Sequence, residues 1–336
     1  MADALSVLGP VSAENLGFVL PHEHLTTDSS ALIVPGGVYP VDTPMSAQTI
    51  AQVKKWPRSL SDNLIMDADD VVLTDLIRYK DLGGGTLVDL TPIGMGRDLE
   101  RYRQLSRASG VNVIACTGYY VKYGHKGRVE GRTPDDLAAE FIAELREGDG
   151  VSRCGAMGEI GISAVPEPDE WNVLKAAIIA QQETGAPIWI HITTLRPVPE
   201  LLAFLTRNAR DLSRIVICHM DYSLEDLDVH RRALETGVNV EFDMFGAPWW
   251  SNANFLDLPT DSKRVRALLT LSAEGAADQL FVSQDTCMKQ QLSAWGGFSY
   301  GHMLESVAEL FTVLDAPAGL LHRFAVENTR RLLCWA

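Results

Sequence analysis

His22 and His24 stand two residues apart at the end of the apolar run Phe18-Val-Leu-Pro21. In a β-strand successive side chains alternate faces, so the two imidazoles project to one side and Glu23 to the other. Two imidazoles on one face of a strand end can chelate a single metal ion, although a His-x-His pair by itself is common in proteins that bind none. The rest of the chain repeats the pattern. Glu159 follows Ala156-Met-Gly158, His191 follows Ile188-Trp-Ile190, His219 follows Ile215-Val-Ile-Cys218 and Asp285 follows Phe281-Val-Ser-Gln284. Four imidazoles and two carboxylates suit a borderline divalent cation, zinc first, with manganese, cobalt or iron able to use the same donors. A single buried histidine after a strand is more often a hydrogen-bonded core residue, but ligand-type residues at five strand ends are hard to obtain that way. The other histidines, His125, His230, His302 and His322, fall in loops or helices. His230 and His322 read as surface residues, while His125 and His302 could approach the same region. Cys218 adjoins His219, and because strand neighbours face opposite ways, one of the two is a packing residue.

Such residues need a scaffold. Eight apolar, β-branched runs occur at residues 16–24, 86–91, 111–119, 155–160, 187–193, 214–220, 238–245 and 279–285. Helical periodicity fills the gaps at 69–82, 99–109, 133–146, 171–184, 198–208, 223–235, 261–274 and 302–314, with a closing helix near 318–333. Thr133 followed by Pro134 reads as a capped helix start. Strict alternation of strand and helix implies a parallel sheet. Eight such units make a (β/α)8 TIM barrel, with a doubly wound open sheet as the structural rival. Barrel enzymes place their chemistry at the C-terminal strand ends, where all six candidate residues fall. Gly83-Gly84-Gly85 ends a helix and precedes a strand, the reverse of a nucleotide fingerprint, and reads as a C-cap turn. The long loop after strand 1, between His24 and Asp69, carries several prolines and Lys54-Lys-Trp-Pro-Arg58. It leaves the end of the first strand, so in a barrel it lies over the mouth as a lid or pocket wall.

The chain of 336 residues, 46% apolar and 22% charged, fits a soluble enzyme with a large core, organised as one domain over 1–336. No apolar run is long enough to span a membrane, and the start lacks the pattern of a secretory signal. Five cysteines without a CxxC motif suggest reduced thiols in a cytoplasm. A net charge of −15 argues against nucleic acid and anionic membranes as partners and leaves a small-molecule substrate. That substrate can still be anionic, because bound cations dominate a local field.

Pro21-His-Glu-His-Leu25, Gly158-Glu-Ile-Gly161 and the His191, His219 and Asp285 strand ends together resemble the phosphotriesterase family of the amidohydrolase superfamily, over nearly the whole chain. The resemblance implies a (β/α)8 barrel with two divalent ions at its mouth: His22, His24 and Asp285 on the buried ion, His191 and His219 on the more exposed one. Many members bridge the ions with a carboxylated lysine on the fourth strand. Here Glu159 takes that place and the strand has no lysine, so the chain is similar to the homologue subgroup with a bridging glutamate. Two ions about 3.5–4 Å apart would share an activated water and polarise a C=O or P=O. Asp285 would be the catalytic proton acceptor. The family's dimers imply a homodimer.

Its reactions span lactones, carboxyl esters, amides and organophosphates. The bridging glutamate and its subgroup point to a lactone, carboxyl ester or amide, with phosphotriester or phosphoester cleavage as the alternative. For substrate contacts the loops offer Tyr119, Tyr120, Lys122, Phe245, Trp249, Trp250, Trp295 and Phe298, and Asp243 could orient a ligand from behind. A non-catalytic ligand-binding barrel would have lost a ligand, and none is lost. An oxidoreductase or lyase reading finds neither a nucleotide fingerprint nor a strand-end lysine for a Schiff base.

Overall fold

The computed structural model describes residues 2–247, 250–251 and 256–336. Eight strands form one sheet in chain order: β1 (Phe18–Glu23), β2 (Gly84–Asp89), β3 (Asn112–Thr117), β4 (Ala156–Ile162), β5 (Ile188–Ile192), β6 (Ile215–Ile217), β7 (Asn239–Phe242) and β8 (Leu280–Val282). Each pairs in parallel with its sequence neighbour. The last and first strands meet just beyond their ends. Asp285 N donates to His22 O at 3.1 Å and His24 N to Thr286 O at 3.2 Å, while Ser283 Oγ donates to His22 O and accepts from His22 N. The result is a nearly closed (β/α)8 barrel whose seam runs through His22, His24 and Asp285.

Alternation sorts each strand into two layers. Val19, Val88, Ile114, Ala156, Trp189, Val216 and Phe281 fill the interior, and Leu20, Leu87, Val113, Met157, Ile188, Ile190, Ile215 and Val240 pack under the helices. Burial on both faces is why these strands read as near-continuous apolar runs. Ala4, Leu16, Leu332 and Leu333 join the interior cluster and plug the end opposite the candidate ligands.

The outer layer includes α1 (Asp69–Asp81), α2 (Leu99–Ser109), α3 (Pro134–Arg146), α4 (Pro168–Thr184), α5 (Val198–Asn208), α6 (Asp228–Thr236) and α7 (Asp261–Leu271). A capping box between Thr133 and Asp136 opens α3 with Pro134 in its first turn, as the sequence indicates. Among the described residues no helix is long and apolar enough to cross a membrane.

Two expectations need correction. Only Gly83 forms the turn, at φ 102°; Gly84 and Gly85 belong to β2. A Cβ on Gly85 would lie 2.2 Å from Leu16 O, so glycine is what lets β1 and β2 begin so close together. His230 is fully buried on α6, with Nε2 2.6 Å from Met220 O, because the helix turns that face inward to tie down the bend after His219. His322 is exposed, as expected. The stretch after β1 is more ordered than a plain loop. Thr27–Asp28 pairs with Ile65–Met66, and the Gln52 side chain on the short helix Ile50–Lys55 bonds Val38 N, Tyr39 N and Gly36 O.

Candidate active site

Glu159 is the hub of the strand ends. Its Oε1 lies 2.9 Å from His191 Nδ1, 3.0 Å from His219 Nε2 and 3.3 Å from His22 Nε2, and its Oε2 lies 3.8 Å from His24 Nε2. Asp285 Oδ1 lies 3.3 Å from His24 Nε2 and 3.9 Å from His22 Nε2. Bonds from behind decide which nitrogen of each ring faces inward. His22 Nδ1 has Glu241 Oε2 at 2.9 Å and Asp243 Oδ2 at 3.2 Å, so Nδ1 carries the proton. Its Nε2 keeps a buried lone pair with no hydrogen-bond partner among the described residues. His219 Nδ1 donates to Asp243 Oδ1 at 2.7 Å, which frees its Nε2 in the same way. Thr91 gives its single hydroxyl proton to Thr26 O, so at 2.8 Å it accepts from His24 Nδ1. His191 Nε2 faces Tyr120 Oη at 3.1 Å, with Nδ1 turned to Glu159.

Imidazole lone pairs and carboxylate oxygens facing one another in a buried space oppose each other unless a cation or a shared proton sits between them. Their nitrogen and oxygen donors fit a borderline divalent ion. His22, His24 and Asp285, and likewise His22, Glu159 and His219, bring their donor atoms within 4.8 Å of one another. His22, Cys218, Glu241 and Asp243 do so too. That group, however, would use the protonated nitrogen of His22 and a thiol that burial holds well above its ordinary pKa. Cys218 instead packs in the barrel interior. Burial pushes the carboxyl of Asp243 up, but His219 and His22, whose Nδ1 protons face it, outweigh burial and hold it well below its ordinary range.

Two of these positions carry unusual backbone. His219 at φ 56° and Asp285 at φ 45° are non-glycine residues in the left-handed region, at a cost of about 1–3 kcal/mol each. A buried carboxylate holds each of them. Asp243 accepts the backbone N–H of His219 at 2.8 Å as well as its imidazole proton. Glu23 accepts the N–H groups of Gln284 and Thr286, on either side of Asp285, at 2.9 Å each. The middle residue of the His-x-His motif therefore faces away from its neighbours, as alternation requires, and clamps the Asp285 bend. In Glu23→Gln an amide NH2 replaces one accepting oxygen and opposes a backbone N–H. Metal affinity should fall about 10–100-fold while the circular-dichroism spectrum stays unchanged; an unaltered metal titration would show that the clamp is dispensable.

A cavity of about 90 Å³ opens over the cluster. His24, Tyr120, Glu159, His191, Tyr222 and Asp285 line it from the barrel, and Leu32, Pro57 and Arg58 come from the stretch after β1, which forms a pocket wall.

Residues 3–333 match the model of the Phosphotriesterase family. The chain belongs to the phosphotriesterase family. It is a metal-dependent hydrolase of the amidohydrolase superfamily. Relatives include an N-acetyltaurine hydrolase of Tetraodon nigroviridis at 34% identity and one of Salmo salar at 32%, each aligned over 98% of this chain and 97% of the relative. The crystal structure of a resiniferatoxin-binding protein from Rhodobacter sphaeroides is similar at TM-score 0.95 and 29% identity, covering 99% of this chain and 95% of that one.

Within this family frame, the six strand-end residues named from sequence come together, whereas Tyr119 and Lys122, expected as substrate contacts, do not line the cavity. Tyr119 is buried against Phe141 with its hydroxyl on Glu140 Oε1 at 2.9 Å, away from the cavity. Its neighbour Tyr120 takes the inward place, with its ring centroid 4.5 Å from that of His191. Gly161 allows this, because a Cβ there would lie 2.0 Å from Val121 N and push the Tyr120 segment off β4. Lys122 is exposed and pairs with Asp169 at 3.2 Å. Trp249 lies outside the described residues, as does the side chain of Trp250. His125 and His302 are structural, bonded to Tyr120 O at 2.8 Å and to Asp261 Oδ2 at 2.7 Å. Sequence reasoning missed Glu241, Tyr222 and Met244. Glu241 had a usable signal, since it stands two residues before Asp243 with the same spacing as His22 and His24.

Proposed function

We propose that this phosphotriesterase-family chain hydrolyses small N-acyl amides with two divalent ions, zinc first. His22, His24 and Asp285 would hold the deeper ion, His191 and His219 the outer one, and Glu159 would be shared by both. Bound there, the ions supply a water acidified towards a pKa of about 7 and a Lewis acid for the acyl carbonyl. Asp285 accepts the proton of the attacking water and delivers it to the leaving nitrogen, which must be protonated before the C–N bond can break. Glu23 and Asp243 keep Asp285 and His219 in place during that transfer. Leu32, Pro57, Met95, Met244 and Leu258 wall the cavity with apolar surface and limit water. At about 90 Å³ it is far below the roughly 300–1,000 Å³ of drug-sized sites, which favours a short acyl group.

One observation carries the reading: a single carboxylate oxygen of Glu159 lies within 3.3 Å of imidazole nitrogens from β1, β5 and β6. The choice of an amide over an ester or lactone rests on the N-acetyltaurine hydrolases aligned along its length. Elemental analysis of purified protein should find close to two divalent ions per chain. Dialysis against a chelator should abolish amine release from N-acetyltaurine and lower the melting temperature, with both restored by Zn²⁺ or Mn²⁺. A folded chain with no bound metal would sink the binuclear site, and cleavage of lactones without amides would move the substrate class.

A further inference from the structure

We infer that Arg58 anchors a compact oxyanion at the far end of the substrate, which makes the substrate an N-acyl derivative of a small amino acid carrying a terminal sulfonate or carboxylate. This deepens the hydrolase reading above and rests on it. Among the described residues Arg58 is the one lysine or arginine lining the cavity over the ligand cluster. Its backbone is pinned while its side chain is left free. Arg58 O accepts Val34 N at 2.8 Å, Asn63 Nδ2 donates to Pro57 O at 2.8 Å, and Ser59 N donates to Trp56 O at 3.0 Å. No hydrogen bond or ion pair engages its guanidinium among the described residues. Arg97, Arg103 and Arg264 are by contrast paired with Glu144, Asp149 and Asp221.

A half-buried guanidinium without a carboxylate offers N–H donors in a fixed fork that matches carboxylates and other oxyanions. Arg58 and Tyr222 line the same cavity, and the Tyr222 ring lies 5.3 Å from that of His219. Thr27 and Ser29 add hydroxyls to the same wall. With Glu159 and Asp285 committed to cations, the remaining unbalanced charge of the cavity is positive. It is set in a chain of net charge −15, so anionic substrate recognition must be local.

Three substrates of similar length test this: N-acetyltaurine, N-acetyl-β-alanine and neutral N-acetylethanolamine, each assayed with metal-loaded native protein and Arg58→Gln. The substitution should lower kcat/KM for the two anions about 100-fold, mainly through KM, and change the neutral compound by less than about threefold. Comparing the two anions distinguishes sulfonate from carboxylate. Equal losses on all three substrates, or a native preference for the neutral one, would overturn the anchor. Calorimetric titration of N-acetyltaurine into metal-loaded Asp285→Asn, with and without Arg58→Gln, reads the anchor without turnover. If native protein cleaves no amide but binding still depends on Arg58, the amide reading fails and the anchor stands. If amides are cleaved while neither KM nor binding responds to Arg58, the anchor fails and the amide reading stands.

Discussion

Asp285→Asn should lower kcat for amide hydrolysis by about 10³-fold while the chain keeps its fold and most of its capacity to bind metal. Asparagine has nearly the same shape and is among the few residues that tolerate the left-handed backbone of position 285, at φ 45°. The bond from the residue 285 N–H to His22 O is unaffected, so the barrel seam survives. An amide oxygen can still face His24 Nε2 and share a cation, but it cannot take a proton at neutral pH. Ligation and proton transfer are thereby separated. Steady-state kinetics beside elemental analysis checks this; unchanged turnover would remove Asp285 from proton transfer, and joint loss of metal and turnover would reduce its role to ligation.

Glu159→Gln should act the other way, on metal binding before the chemistry. Metal affinity should drop by more than about 100-fold, beyond the loss expected from removing a supporting residue. Glu159 Oε1 faces three imidazoles at once, and its charge is central to the set of donors. The glutamine amide is neutral, and its NH2 can donate to imidazole lone pairs that otherwise face a cation. The fold should remain, because β4 contributes its apolar layers independently, so circular dichroism should match native protein. The melting temperature should cease to rise with added Zn²⁺. Stoichiometric retention of two ions would show that Glu159 is not the shared ligand.

What the sequence made legible is what depends on local rules. Period-two alternation placed His22 and His24 on one face and Glu23 on the other, and the ends of apolar runs placed Glu159, His191, His219 and Asp285 at one rim. α2 spans Leu99–Ser109 as expected, and α3 starts behind Thr133 as its cap signal indicates. Where the determinant is tertiary, sequence reasoning slipped. It began α6 at 223, but residues 220–222 form a 3-10 turn held by the buried His230, and the helix starts at Asp228. Tyr119 and Tyr120 were adjacent candidates. Alternation loses its phase at Gly118, φ 142°, just past the end of β3, so only the packing against Gly161 decides which ring reaches the cavity. Arg58 stood out only as part of a basic stretch, since its place depends on how the segment after β1 folds back.

The barrel's closing bonds and its candidate ligands are the same residues. His22 and Ser283, 261 positions apart, are tied directly across the junction that also presents His24 and Asp285. Displacing the backbone at His22, His24 or Asp285 would open the cylinder wall together with the chemistry. Descendants of such a chain can therefore explore new substrates only by remodelling the walls of the mouth, and the segment that carries Arg58 is the part they can change at least risk to the rest.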